Sequence, residues 1–211
     1  MKAICIPLAL LVAAIGAGCS GIERSRNLAD PAVPGKVLAV QVCSICHGVD
    51  GNSVSPNFPR LAGQQAAYIV NQLKNFRSHD RSDPPGEWYM WGLSRKLTDE
   101  QIAGIAKYFS LQKPLPNAAG DPKLVAAGKE IYVNGIPRQN VIACAACHGP
   151  QGQGVDAFPR IAYQHADYIV KQLEVFQFTA GRPGTPMESV SHPLTGDDKE
   201  AISAYLQAFP N

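Results

Sequence analysis

Two short stretches hold most of the reactive side chains of this chain. "CSICHG" spans residues 43–48 and "CAACHG" spans residues 144–149, so Cys43, Cys46 and His47 are repeated as Cys144, Cys147 and His148. Two thiols three positions apart with an imidazole directly after suit three chemistries. A zinc ribbon pairs two Cys-x-x-Cys units roughly 15–20 residues apart, whereas Cys46 and Cys144 are 98 positions apart. A thioredoxin-like redox pair calls for a βαβ setting, and no stretch of the chain alternates as a strand does. The third chemistry fits. Cys-x-x-Cys-His is the attachment signature of c-type haem, in which each sulfur forms a thioether to one vinyl group and the following imidazole ligates iron from one face. Two signatures predict two covalently bound haem c groups.

Each iron then wants a second axial ligand. Apart from the initiator, the methionines are Met90 and Met187, each seven residues before a Leu-Thr pair, Leu97-Thr98 and Leu194-Thr195. Matched positions favour ligation over gap-filling, and His/Met is a cytochrome c ligand set. The metal ligands expected are therefore His47 with Met90 and His148 with Met187. His79, His192 and His165 compete less well, because none recurs in the other stretch, and all three are expected at the surface. Pro59 and Pro159 follow each haem stretch at the same place, and their carbonyls are suited to accept the Nδ1 proton of His47 and His148. Arg60 and Arg160 stand next, either paired with haem propionates or simply solvated.

The surrounding sequence must place these groups twice. Phe58-Pro59-Arg60 recurs as Phe158-Pro159-Arg160, and Tyr68, Ile69, Val70, Gln72, Leu73 and Phe76 recur 100 positions on. Two copies of one domain, of about a hundred residues each, follow. The boundaries expected are 20–112 and 113–211, joined at "LQKPLPNAAGDP" (111–122), where three prolines and a glycine make a stiff linker. Within each copy the period is helical. Ile69, Leu73 and Phe76 fall on one face, and Thr98 and Thr195 open the last helix of each copy, Thr98-x-x-Gln101 as a capping box. Further helices are expected over "GKVLAVQV" and "LVAAGKEIYV", with long loops over 47–64 and 77–98. A domain this small and loop-rich buries little apolar surface alone; a haem in its middle would supply the missing core.

The N-terminus reads as an export signal over 1–19. Lys2 is followed by an apolar run from Ala3 to Ala17, too short for a membrane span and ending in "GAGCS". That ending matches a lipoprotein signal with Cys19 as the lipidated residue, or ordinary cleavage leaving Cys19 without a role. Export implies the periplasm, possible lipid anchoring to a membrane through Cys19, and an oxidising compartment. The net charge is +2 and no basic tract interleaves with aromatics, which excludes nucleic acid as a partner. Charge is uneven: residues 20–113 carry eleven Lys/Arg against eight Asp/Glu, and residues 114–211 seven against nine. Lys74, Arg77, Arg81, Arg95 and Lys96 are the cations expected to form a docking face on the first copy.

Taken together, "C-x-x-C-H-G…FPR-[LI]-A…Q…Y-I-V-x-Q-L…M…L-T", twice over, resembles the diheme cytochrome c4 family across nearly the whole exported chain. The resemblance implies an all-α protein of two tandem class I cytochrome c domains related by a pseudo-two-fold axis, with propionates near the shared interface. It also implies His/Met ligation at both irons and electron transfer with redox partner proteins, a respiratory complex or terminal oxidase on one side and a dehydrogenase on the other. With both axial positions filled, the protein is a carrier with no catalytic residues. The rivals are the diheme subunit of a larger dehydrogenase and a diheme peroxidase. Two departures stand out: Tyr163 in place of Gly63, and the insertion "IPRQNV" (136–141) before the second cysteine pair.

Overall fold

A computed structural model describes residues 24–178, 181–182 and 184–210. The expected export signal at 1–19, with Cys19, lies outside the described residues. The first half contains α1 (Gly35–Leu38), α2 (Ser44–His47), α3 (Ala66–Ser78), α4 (Gly86–Ser94) and α5 (Asp99–Ser110). The second half contains α6 (Pro122–Asn134), α7 (Ala145–His148), α8 (Ala166–Gln177), α9 (Met187–Ser191) and α10 (Gly196–Gln207). Among the described residues, β pairing is limited to two isolated bridges, Ile136 with Val141 and Val155 with Phe158. The fold is all-α, as read from the sequence.

Each half packs its first helix across its last, and a glycine permits the crossing. A β-carbon on Gly35 would lie 2.2 Å from the Gln101 carbonyl oxygen, and one on Gly128 would lie 2.0 Å from that of Ala201. Only glycine lets two backbones approach so closely. Around the first crossing, Leu38, Ile69, Leu73, Ile102, Ile105 and Phe109 form one core. Around the second, Tyr132, Ile169, Leu173, Ile202, Tyr205 and Phe209 form another. The last helices are capped as expected. Thr98 Oγ1 accepts from the Gln101 amide at 3.2 Å, and Gln101 Oε1 accepts from the Thr98 amide at 3.0 Å. Thr195 and Asp198 repeat the exchange at 3.2 and 2.9 Å.

One expectation needs correction. The stretch 77–98 is not simply a loop, because α4 lies inside it and carries Met90 at its middle. Glycine and proline at 84–86 masked a nine-residue helix whose aromatics gave no clear apolar stripe. The approach to the cysteines also differs between the halves. α1 runs through a π-turn, Ala39–Cys43, straight into α2. In the second half Gly135 stops α6, and the insertion folds into a 3₁₀ turn, Pro137–Gln139, clasped by the Ile136–Val141 bridge.

The linker is held rather than loose. The Asn52 amide donates to the Lys113 carbonyl at 3.0 Å and accepts from the Leu115 amide at 2.9 Å. Arg60 Nη1 donates to the Leu115 carbonyl at 2.8 Å. This explains one departure between the copies. Gly63 and Tyr163 both sit at positive φ, 63° and 62°. A side chain at 63 would press on Pro114 of the linker, which passes at 3.0 Å. No β-carbon is tolerated there without a shift, so the first copy keeps glycine.

Candidate haem sites and the seam between them

The two signature stretches adopt the same local geometry. Cys43 and Cys144 stand immediately before α2 and α7, Cys46 and Cys147 lie one turn later, and His47 and His148 close each turn. None of these four cysteines is joined in a disulfide. Burial pushes Cys43 up to about 12 and Cys144 up to about 11. That is the reverse of the lowered pKa of a redox-active or metal-ligating thiol. Among the described residues no cluster of three or more His, Cys, Asp and Glu could hold a metal ion.

The imidazoles are oriented as expected. His47 Nδ1 donates to the Pro59 carbonyl at 2.8 Å, and His148 Nδ1 to the Pro159 carbonyl at 2.9 Å. Burial holds both rings below the usual histidine range, with the proline carbonyl opposing it. A neutral ring with its Nδ1 proton engaged presents the Nε2 lone pair. Phe58 and Phe158 meet those rings edge-on, at 6.3 and 6.4 Å between centroids. One Phe-Pro-Arg motif thus steadies each ring by its edge and by its proton. Met90 and Cys43 pack against the same core, as do Met187 and Cys144. The residues fit two haem groups: a methionine and the first cysteine of each pair stand against each core, and the histidine after the second cysteine is pre-oriented by its proline carbonyl. Among the described residues, the buried Nε of Arg160 has no acceptor, a donor that an anionic group such as a carboxylate would satisfy.

The remaining expectations divide. His79, half exposed, donates from Nδ1 to the Glu87 carboxylate at 2.9 Å, and His192 is exposed. His165 is not a surface residue. It is only 6% exposed, with Nε2 3.0 Å from the Ser53 carbonyl oxygen and Nδ1 3.3 Å from the Asn117 amide of the linker. Its partner in the repeat, Gln65, makes the mirror contact, donating to the Gln153 carbonyl at 3.0 Å. Arg60 is not simply solvated: besides the linker it donates to the Tyr163 carbonyl at 3.3 Å. Arg160 lies over the Tyr163 ring at 5.2 Å.

These contacts belong to a seam between the halves that follows the pseudo-two-fold relation. Gln64 Nε2 donates to the Arg160 carbonyl at 2.9 Å, and its Oε1 accepts from the Arg160 amide at 2.7 Å. Gln164 does the same with Arg60, at 3.0 and 2.8 Å. Deeper in, Arg81 and Arg182 lie 4.4 Å over Phe76 and Phe176. Both guanidinium groups donate to Gln72 and Gln172, Arg81 reaches Tyr168 and Arg182 reaches Tyr68. Arg81 was expected on the docking face but is buried, with Asp83 at 2.7 Å as its counter-charge. Asp83 has no equivalent: Gly184 stands in its place. Sequence reasoning missed this network. The signal was present, since Tyr68, Gln72 and Arg81 all recur, but recurrence of polar residues does not say whether they face water or each other.

An all-helical pair of haem-attachment domains, each with a thioether turn, an oriented histidine and a methionine, defines a tandem class I c-type cytochrome. The Cytochrome c family model matches residues 32–111 and 125–209. Cytochrome c4 of Azotobacter vinelandii is 37% identical over 199 residues, covering 90% of this chain and 94% of that one. The crystal structure of reduced recombinant cytochrome c4 from Pseudomonas stutzeri superposes with a TM-score of 0.75 at 37% identity, covering 85% of this chain and 98% of that one. A thiosulfate dehydrogenase electron acceptor of Stutzerimonas stutzeri is 33% identical over 175 residues, covering 80% of this chain and 79% of that one. The chain belongs to the diheme cytochrome c4 family. It binds two covalent haem c groups and transfers electrons to and from redox partners as a carrier, not an enzyme.

Proposed function

We propose that this cytochrome collects electrons from a periplasmic dehydrogenase and delivers them to a respiratory complex, holding its irons between His47 and Met90 and between His148 and Met187. The attaching thiols are Cys43, Cys46, Cys144 and Cys147, and the domains divide at 112/113. When bound, each haem supplies a one-electron Fe(III)/Fe(II) couple. The chain's own contribution is to orient the imidazole, and Met90 and Met187 would supply the thioether sulfur of each iron's ligand set. The observation that carries this reading is the matched His–Pro hydrogen bond in both halves, with a methionine packed on the same core each time. A dehydrogenase as donor is supported by the similarity to a thiosulfate dehydrogenase electron acceptor. A periplasmic site is supported by the sequence of residues 1–19, and membrane attachment would then rest on lipidation of Cys19. Among the described residues no helix is long and apolar enough to cross a membrane.

Absorption spectra of the purified oxidised and reduced protein, with haem quantitation, test the site reading. Two haems per chain, a low-spin spectrum and a near-red methionine–iron band of two-haem intensity are expected. A high-spin ferric haem would favour a peroxidase instead. Mass spectrometry of the mature N-terminus decides the fate of Cys19.

A further inference from the structure

The outer face of α4 is unlike its counterpart. At about 100° per residue, Trp88, Trp91 and Arg95 share one face of the helix and its C-terminal end, while Met90 lies about 200° round from Trp88. Met90 packs on the core, so Trp88 points away from that core, and among the described residues it makes no hydrogen bond or ring contact. It is 71% exposed, and Tyr89 beside it is 63% exposed. The stripe is braced from below. The His79 ring lies 4.9 Å from Trp91, and the Arg95 guanidinium lies 5.1 Å from that ring. His79 also holds Glu87, taking the nearest carboxylate on the helix out of play.

The cations of this half have different fates. Arg81 is buried, and Lys74 and Arg77 are both paired with Asp99, at 2.8 and 2.7 Å. Arg95 and Lys96, at the end of α4, are exposed and, among the described residues, carry no ion pair. The equivalents of Trp88, Tyr89, Trp91, Arg95 and Lys96 in the second half are Thr185, Pro186, Glu188, His192 and Pro193. An exposed tryptophan beside a braced one, with cations free of ion pairs at the edge, is the composition of a protein-binding anchor with a charged rim. The second half offers a carboxylate there instead.

We propose that the Trp88–Arg95 face of α4, with Lys96, docks an acidic redox partner protein through the first domain, apolar at the centre and cationic at the rim. This rests on the electron-carrier reading and names the surface that serves it. The test uses the haem-loaded full chain on gold coated with mixed carboxylate- and hydroxyl-terminated thiols, with amine-terminated gold as the opposite charge. The wild type should adsorb on the carboxylate surface, with coverage falling steeply as salt rises. Arg95→Gln with Lys96→Gln should cut the affinity by on the order of tenfold and flatten the salt slope, as loss of two rim charges does. Trp88→Ala should speed desorption while leaving the salt slope in place. Lys123→Gln with Lys129→Gln, on the second half, should change neither. Equal loss in that control, undiminished adsorption of the first pair, or preference for the amine surface would overturn the proposal. Binding to phosphatidylglycerol vesicles that is lost in Trp88→Ala would assign the face to a membrane and overturn it too. Mediated potentiometric titration, which contacts no particular face, separates the two readings. Loss of a reversible haem there counts against electron carriage, whereas intact titration with unchanged adsorption counts against the docking face alone.

Discussion

Replacing Gln64 by Ala should loosen the two halves without touching either haem. Gln64 is buried and spans the seam with both ends of its amide, accepting from the Arg160 N–H at 2.7 Å and donating to the Arg160 carbonyl at 2.9 Å. Each such hydrogen bond contributes about 0.5–1.5 kcal/mol net, and stranding a buried backbone group costs about 1–3 kcal/mol. Two lost bonds with partial access of water to the Arg160 peptide give a loss of about 2–4 kcal/mol in interdomain stability. Gln164→Ala removes the mirror pair, at 2.8 and 3.0 Å to Arg60, so the two variants should agree within about 1 kcal/mol. The double variant should lose less than the sum, because both glutamines close the same seam. Guanidinium unfolding followed by Soret circular dichroism reads this directly. The wild type should unfold in one transition, and the double variant in two, as each haem domain melts alone. Gln112→Ala is the control. It breaks a contact within the first half, to the Tyr108 carbonyl at 2.9 Å, and should keep a single transition. A loss below about 0.5 kcal/mol in Gln64→Ala, or a single transition in the double variant, would refute the reasoning.

Met187→Ala should leave the second haem attached but vacate one axial position, halving the near-red methionine–iron band; full intensity would remove Met187 from the ligand set. Cys144→Ala with Cys147→Ala should reduce the haem count to one per chain and lower the melting temperature of the second half, since a bound haem would add apolar burial to a small domain; an unchanged melt would contradict this. His165 should be neutral at pH 7, because burial lowers its pKa and Arg60 adds to that, against the opposing Ser53 carbonyl and Asp167. A lowered folded pKa means the contribution to stability is present above the unfolded value of about 6.5 and is lost as pH falls through the folded value. In the haem-loaded protein, His165→Gln, which installs the residue found at 65, should therefore flatten the stability profile on the acid side of about pH 6.5. A variant as acid-sensitive as the wild type would exclude His165 as the titrating group.

The chemistry was legible in the linear sequence because covalent attachment needs its groups close together along the chain. Cys43, Cys46 and His47 must share one turn, and so their types and spacing state the cofactor before any folding is considered. The Pro59 and Pro159 acceptors were also within reach, since they sit 12 and 11 residues from their histidines in matched copies. Duplication gave each inference a second instance, and it singled out Met90 and Met187 as candidates by their shared distance from Leu-Thr. What escaped was set by residues far apart in sequence. Gln64 with Arg160, Ser53 with His165, and Arg81 with Gln172 meet across 96, 112 and 91 positions. Nothing in the local pattern separates a buried arginine from a solvated one, so Arg81 read as surface charge and His165 as a surface histidine. Their burial follows from the second copy folding back against the first, where paired polar groups satisfy one another away from water. The sequence by itself determined the haem, its attachment and the repeated helical domain. Only the tertiary structure decided which polar residues close the seam and which, like Trp88 and Arg95, are left facing outward.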